Sequence, residues 1–129
     1  MNIGFIGLGN MGYPIMLRLC NPEHNLFVYD EDLAKFKQLK KTERLICCDN
    51  ASSVAKKSDV VFTCLPSIEN VEYVLLGQKN YKGICNVLKS GSLCVDLSSS
   101  DPLKTKILAK TWRYSNTLNS ANSNSADLI

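Results

Sequence analysis

Apolar residues fall in short runs separated by glycine, proline and polar punctuation, and the hydrophobic period switches repeatedly along the chain. Asn2–Gly7 (NIGFIG) is a short apolar run stopped at once by glycines, which predicts a buried strand. Met11–Cys20 then sets Met11, Ile15, Met16 and Leu19 at helical spacing. Pro14 falls in its first turn, where a missing N–H is tolerated, and Asn21-Pro22 ends it. Leu26–Tyr29 predicts a second strand, and Asp32–Lys40 a second helix with Leu33, Phe36 and Leu39 or Lys40 on one stripe. Leu45–Cys48 is a third short strand, followed by a short helix through Lys57 that Asn50 or Ser52 can cap. Val60–Leu65 is almost continuously apolar, as strands buried on both faces of a parallel sheet are. Pro66–Leu76 and Tyr81–Leu88 predict helices and Leu93–Asp96 a fifth strand. Ser100 or Asp101 caps a last helix, with Pro102 at its first position, running to about Trp112. Strands alternating with helical connections of this length make an α/β fold, a doubly wound parallel sheet with right-handed crossovers.

From Arg113 the pattern breaks. Residues 113–129 (RYSNTLNSANSNSADLI) are rich in Asn and Ser and carry no usable hydrophobic period, so they read as a disordered tail; only Leu118, Leu128 and Ile129 offer anchors for a docking segment. The division expected is a domain over 1–112 and a polar tail over 113–129. A sheet ending at the fifth strand leaves that strand as a bare edge, which predicts poor solubility or self-association.

Composition changes this picture little. The 129 residues, 45% hydrophobic and 21% charged, make about one ordinary domain. No apolar run approaches the roughly 18–20 residues of a membrane-spanning helix, and Gly7, Gly9 and Asn10 interrupt the early apolar stretch that a signal peptide would need. Fifteen Lys and Arg against 12 Asp and Glu give +3. The lysine pairs Lys40-Lys41 and Lys56-Lys57 read as solvated faces rather than a nucleic-acid patch, so neither nucleic acid nor membrane is an expected partner. Six cysteines do not read as a disulfide framework. Cys64 and Cys94 lie in apolar, strand-like runs, Cys47-Cys48 reads as core packing, and no Cys/His spacing suits a metal. The set implies an intracellular, reducing compartment, mitochondrial or cytoplasmic not being resolved. His24, the sole histidine, has no acidic or Ser partner nearby in sequence and no catalytic role is assigned to it. Asn50-Ala51-Ser52 reads as a chance sequon.

The chemical signal is Gly7-Leu8-Gly9-Asn10-Met11-Gly12, a GxGxxG that follows a strand and opens a helix at the start of a βαβ unit. In that setting Gly7 permits the tight turn, Gly9 lets a pyrophosphate approach the backbone, and Gly12 lets helix and strand pack closely, while N–H groups of the helix N-terminus meet the phosphate charge. Asp30 ends the second strand about 20 residues on, where a carboxylate accepts from the adenosine ribose hydroxyls. A 2′-phosphate would meet Asp30, Glu31 and Asp32 with no adjacent Arg, so NAD is expected over NADP. Asp30 acting only as a cap for the next helix stays open at this stage. The loops after the fourth and fifth strands, Thr63–Pro66 and Asp96–Ser100, are the expected cover for the nicotinamide half, unless Ser98–Ser100 serve only as a cap.

Three segments carry a family resemblance. Gly4–Pro14 (GFIGLGNMGYP), Asp59–Pro66 (DVVFTCLP) and Gly91–Pro102 (GSLCVDLSSSDP) resemble, in order, the first three sequence blocks of the β-hydroxyacid dehydrogenases. Asn10-Met11 and Tyr29-Asp30 look most like the 3-hydroxyisobutyrate dehydrogenases of that family. The resemblance implies an NAD-binding Rossmann domain and NAD-dependent oxidation of 3-hydroxyisobutyrate to methylmalonate semialdehyde in valine degradation. Tartronate semialdehyde reductase is a close competitor. Carried over by motif, the cofactor contacts are Gly7, Leu8, Gly9, Asn10, Met11 and Gly12 with Asp30, Leu65, Pro66, Asn70 and Ser99, the last standing where the family has Thr. The family's Asp-Ala-Pro-Val-Ser-Gly-Gly segment and its long helical domain with the catalytic Lys have no match here, so the fold is expected to be incomplete at its C-terminal end, with no catalytic residue and no metal ligand. Two functions follow as expectations. One is the cofactor domain of a dehydrogenase, inactive as these residues stand. The other is a non-catalytic module that binds a nucleotide or pairs with a full-length subunit.

Overall fold

The computed structural model describes residues 1–40, 42–120 and 127–129. Strands β1 (Asn2–Ile6), β2 (Asn25–Tyr29), β3 (Leu45–Cys47), β4 (Val60–Thr63), β5 (Leu93–Asp96) and β6 (Asp127–Leu128) form one parallel sheet in the order β3-β2-β1-β4-β5-β6. Strand order reverses at β1: Phe5 stands opposite Val28 on one side and Phe62 on the other. Alternation along each strand sorts side chains to two faces. Ile3 and Phe5 of β1 join Leu26 and Val28 of β2 under helix α1 (Gly12–Leu19), which contributes Met16; Leu39 closes that face. Ile6, Phe27, Val61 and Cys94 point the other way, against α2 (Ala51–Lys57), α3 (Ile68–Leu76) and α4 (Pro102–Ser120) through Val54, Val71, Leu75, Leu108 and Trp112.

Local chemistry sets the helix ends. Asn50 caps α2 by accepting from the Ser53 N–H at 2.8 Å, and Ser67 caps α3 by accepting from Asn70 N–H at 3.3 Å. The Asp101 carboxylate accepts from Leu103 N–H at 2.7 Å at the start of α4, so Asp101 rather than Ser100 is the cap there.

The chain departs from the sequence reading in three places. Residues 33–38 form a 3-10 helix instead of an α-helix: the Asp32 side chain accepts from Ala34 N–H, and Leu39 already turns extended to bury itself under the sheet. Around 81–88 only Ile84–Asn86 is helical, also 3-10, because Gly83 takes φ +70° and breaks the run at its start.

The third departure concerns the polar tail. Helix α4 runs on to Ser120, eight residues past Trp112, and Asp127–Leu128 forms β6 beside β5. Asp127 N–H donates to Ser92 O at 3.1 Å, Ile129 N–H to Cys94 O at 2.8 Å, and Asp96 N–H to Ile129 O at 2.9 Å. Residues 113–120 and 127–128 thus belong to elements rather than to a structureless tail, Ile129 is hydrogen-bonded to β5, and β5 is a paired strand rather than a bare edge. Residues 121–126 of that expected tail, and Lys41, lie outside the described residues.

The cysteines divide. Cys48, Cys85 and Cys94 are buried and Cys64 is half-buried, whereas Cys20 and Cys47 are exposed, which corrects the core-packing reading for Cys47; none of the six is in a disulfide. Among the described residues no helix is long and apolar enough to cross a membrane, and no group of His, Cys, Asp or Glu could hold a metal ion.

Candidate functional site

A cavity of about 580 Å³ opens above the carboxyl ends of β1, β2, β4 and β5, at the point where strand order reverses. This is where open α/β sheets bind ligands, because the loops leaving β1 and β4 diverge to opposite faces and leave a crevice between them. Its floor is the glycine loop. Gly7 has φ +100°, and a Cβ there would meet the Cys64 carbonyl oxygen at 2.1 Å. Gly12 opens α1 so close to the loop that a Cβ would lie 2.0 Å from Gly7 O. Gly9 differs: a Cβ there would have no neighbour within 4 Å, and the residue lines the cavity. Two glycines therefore serve the protein's own packing, and the third leaves space for something else. α1 has Met11 at its N-cap and no side-chain cap, unlike α2 and α3; Tyr13 N–H donates to Gly9 O at 3.0 Å and Pro14 has no N–H, so the donor this turn can offer an external acceptor is Gly12 N–H.

Asp30 stands at the far end of the loop, only 6% exposed. Its Oδ2 accepts from Leu8 N–H at 2.7 Å, and its Oδ1 from Asp32 N–H at 2.8 Å. The carboxylate thus ties the glycine loop to the end of β2, while Asp32 is the cap of the following turn, so the reading of Asp30 as a mere cap is replaced by a structural tie across the site. Lys35 was not anticipated. Its ammonium lies 3.0 and 3.1 Å from the two Asp30 oxygens and lines the cavity. In sequence it lies five residues after Asp30, inside the expected helix, where nothing in the spacing ties it to that carboxylate.

The opposite wall comes from the β4 and β5 loops and α3. Leu65, Pro66, Asn70 and Ser99 all line the cavity, joined by Tyr29, Tyr73, Val74, Tyr81 and Ser98. A partly buried relay holds this wall. Thr63 Oγ1 donates to Asp96 Oδ1 at 2.8 Å, Ser98 Oγ donates to the same oxygen at 2.7 Å, and Leu65 N–H donates to Ser98 Oγ at 2.8 Å. Ser98 is therefore a brace between the β4 and β5 loops rather than a helix cap. The Tyr73 and Tyr81 rings lie 5.1 Å apart, and Tyr81 donates to Val74 O at 3.1 Å; burial pushes its phenol up to about 12. Cys64 in the same wall has its thiol raised by burial, which suits packing rather than nucleophilic work.

Ten of the eleven residues expected at the cofactor therefore surround one cavity. The eleventh, Leu8, has its side chain 3% exposed in the core, and its backbone N–H goes to Asp30. His24 stands apart, in the turn before β2.

A dinucleotide fits these residues: a helix start without a side-chain cap and a side-chain-free Gly9 for the pyrophosphate, a carboxylate at the ribose end of the loop, and apolar walls for the rings. When bound, such a cofactor supplies a hydride acceptor. Comparison with known proteins agrees. The chain is 39% identical over 108 residues to the mitochondrial 3-hydroxyisobutyrate dehydrogenase of Mus musculus, an alignment covering 84% of this chain and 31% of that protein. It is 34% identical over 110 residues to the 2-(hydroxymethyl)glutarate dehydrogenase of Eubacterium barkeri, covering 85% and 35%. The chain thus spans about a third of the length of the curated relatives it matches. Its fold matches a Mycobacterium tuberculosis 3-hydroxyisobutyrate dehydrogenase solved with L-serine, at TM-score 0.74 and 19% identity over 98% of this chain and 38% of that one. It also matches a Myxococcus stipitatus imine reductase in complex with NADP+, at TM-score 0.71 and 20% identity over 98% and 39%. Residues 2–118 match the model of the NAD-binding domain of 6-phosphogluconate dehydrogenase, and the chain belongs to that family of NAD-binding domains.

Proposed function

We propose that this chain is the cofactor-binding domain of an oxidoreductase of the 3-hydroxyisobutyrate dehydrogenase type, taking NAD in preference to NADP. The observation that carries the reading is the pairing of an α1 N-terminus without a side-chain cap with a cavity-lining Gly9 at which a Cβ would meet nothing within 4 Å. In this reading Gly7 to Gly12 hold the pyrophosphate, Asp30 faces the adenosine ribose, and Leu65, Pro66, Asn70 and Ser99 border the nicotinamide half. The names of the relatives support the substrate class, a small hydroxyacid such as 3-hydroxyisobutyrate.

Two of the cavity's candidate proton-transfer groups are already engaged. Tyr81 is committed to Val74 O with a phenol near 12, and Lys35 is committed to Asp30. Hydride transfer needs an aligned substrate and a proton acceptor, and alignment alone is worth about 7–11 kcal/mol of barrier. The 129 residues by themselves are therefore expected to bind NADH without oxidising a hydroxyacid. The test is a pair of assays on the purified chain. The reading expects saturable NADH binding by fluorescence and no NADH production from NAD and 3-hydroxyisobutyrate. Tighter binding of NADPH than NADH contradicts the cofactor preference, and enzyme-like turnover contradicts the assignment of binding alone.

A further inference from the structure

We infer that β6 with Ile129 is a positioning element for the Leu65–Ser98 wall of the cavity, acting through Asp96. Its consequence for binding, a hold on the nicotinamide half, rests on the cavity being the dinucleotide site. Asp96 ends β5 and carries hydrogen bonds in two directions. Outward, its backbone N–H donates to Ile129 O at 2.9 Å. Inward, its Oδ1 accepts from Thr63 Oγ1 at 2.8 Å, from Ser98 Oγ at 2.7 Å and from Ser98 N–H at 3.2 Å. Ser98 Oγ in turn accepts from Leu65 N–H at 2.8 Å, and both Ser98 and Leu65 line the cavity. A continuous chain of hydrogen bonds thus runs from Ile129 through Asp96 and Ser98 to Leu65.

Packing leaves the wall dependent on that chain. Between Asp96, Ser98, Ser100, Thr105, Leu128 and Ile129 lies a second cavity of about 140 Å³, so the loop after β5 borders open space rather than close-packed side chains on this side. The carboxyl end of β5 is held toward β4, where Leu97 N–H donates to Thr63 O at 2.8 Å, and on the other side by Ile129. β6 itself is held by Asp127 N–H to Ser92 O, by Ile129 N–H to Cys94 O and by the half-buried Leu128 side chain, which packs on the core. Undocking β6 breaks these bonds and frees one side of Asp96, a local opening that leaves β1 to β5 paired. Asp127, Leu128 and Ile129 are not among the residues that line the dinucleotide cavity, so their effect on it travels through Asp96.

The experiment compares the wild-type chain with Leu128→Asp, Leu128→Ala and Leu128→Ile by two measurements. Leu128→Asp sets a carboxylate against apolar side chains, which drives β6 off the edge. Amide hydrogen exchange reads the hydrogen-bond chain with no ligand present. In Leu128→Asp, exchange at Leu65 N–H is expected to quicken at least about tenfold, while Leu8 N–H, tied to Asp30 across the cavity, changes less than about threefold. Titration reads the site: NADH affinity should fall at least about fivefold, and that of ADP-ribose, which lacks the nicotinamide, less than about twofold. Leu128→Ala should shift both measurements the same way by less, and it carries the test should Leu128→Asp fail to fold. Leu128→Ile keeps the buried apolar surface and should return both to the wild-type range. Equal quickening at Leu65 and Leu8, or equal loss of NADH and ADP-ribose, reports destabilisation of the whole fold and overturns the inference. Unchanged exchange at Leu65 with Asp96 N–H exposed overturns it, as does faster exchange at Leu65 with NADH affinity unchanged. A wild type that binds neither nucleotide overturns the dinucleotide reading instead, and the exchange rates then decide by themselves whether β6 positions the wall.

Discussion

A methyl group placed on Gly9 would touch nothing in the protein, whereas one on Gly12 would lie 2.0 Å from a backbone oxygen. The two substitutions should therefore separate binding from stability. Gly12→Ala is expected to cost about 1–3 kcal/mol of unfolding free energy, since the helix start must shift off the loop. Gly9→Val should leave the denaturation midpoint within experimental scatter and lower NADH affinity at least about tenfold. Asp96 allows a similar separation on the opposite wall. Asp96→Ala removes the acceptor of the buried Thr63 hydroxyl and releases Ser98, so it should cost about 1–3 kcal/mol and loosen the Leu65 loop. Asp96→Asn keeps the Oδ1 acceptor and should retain most of both stability and binding, as urea melts and NADH titrations of the two variants will show. At this scale the glycines and Asp30 were legible in the chain, because their roles depend on residues one turn or one strand away. Lys35 was not: its ammonium reaches Asp30 from residues 33–38, which form a 3-10 helix that a helical period does not distinguish from an α-helix.

At the scale of elements, the strands were the most legible part. β1, β2, β4 and β5 are short, largely apolar and closed by turn residues, and they lie within a residue or two of where the pattern sets them. The end of α4 was not. Asn and Ser are only a few tenths of a kcal/mol per residue poorer than good helix formers, and a helix already nucleated extends at little cost. What nucleates it is tertiary: Leu108 and Trp112, 2% and 1% exposed, pin α4 to the core. Trp112→Ala should accordingly cost about 3–5 kcal/mol. Loss of the Asp101 cap in Asp101→Ala should cost about 1 kcal/mol, read in the same urea melts. The β6 pairing was equally invisible, since a two-residue strand has no period to read and is specified by the edge it meets.

For the whole molecule, burial of thiols in the core makes stability sensitive to alkaline pH. Burial pushes the Cys85 thiol up to about 11 and raises Cys94 as well. An unfolded chain releases these protons near pH 8.5, so above that point the unfolded state binds fewer protons than the folded one. Stability should be level below about pH 8 and fall as pH rises toward about 11, and Cys85→Ala should make the fall shallower. Ligand binding acts on the whole fold too, because the cavity is built from the ends of four strands. NADH at one hundred times its dissociation constant should add about 2.7 kcal/mol to unfolding.

The central claim is that a dinucleotide lies across the carboxyl ends of β1, β2, β4 and β5, with its pyrophosphate over Gly9. Calorimetric titration of NADH into the 129-residue chain, run beside Gly9→Val, tests it most directly. The account predicts saturable one-to-one binding by the wild type and at least about tenfold weaker binding by a variant that melts at the same denaturant concentration. No saturable binding by the folded wild type, or equal affinity in the two proteins, would contradict it.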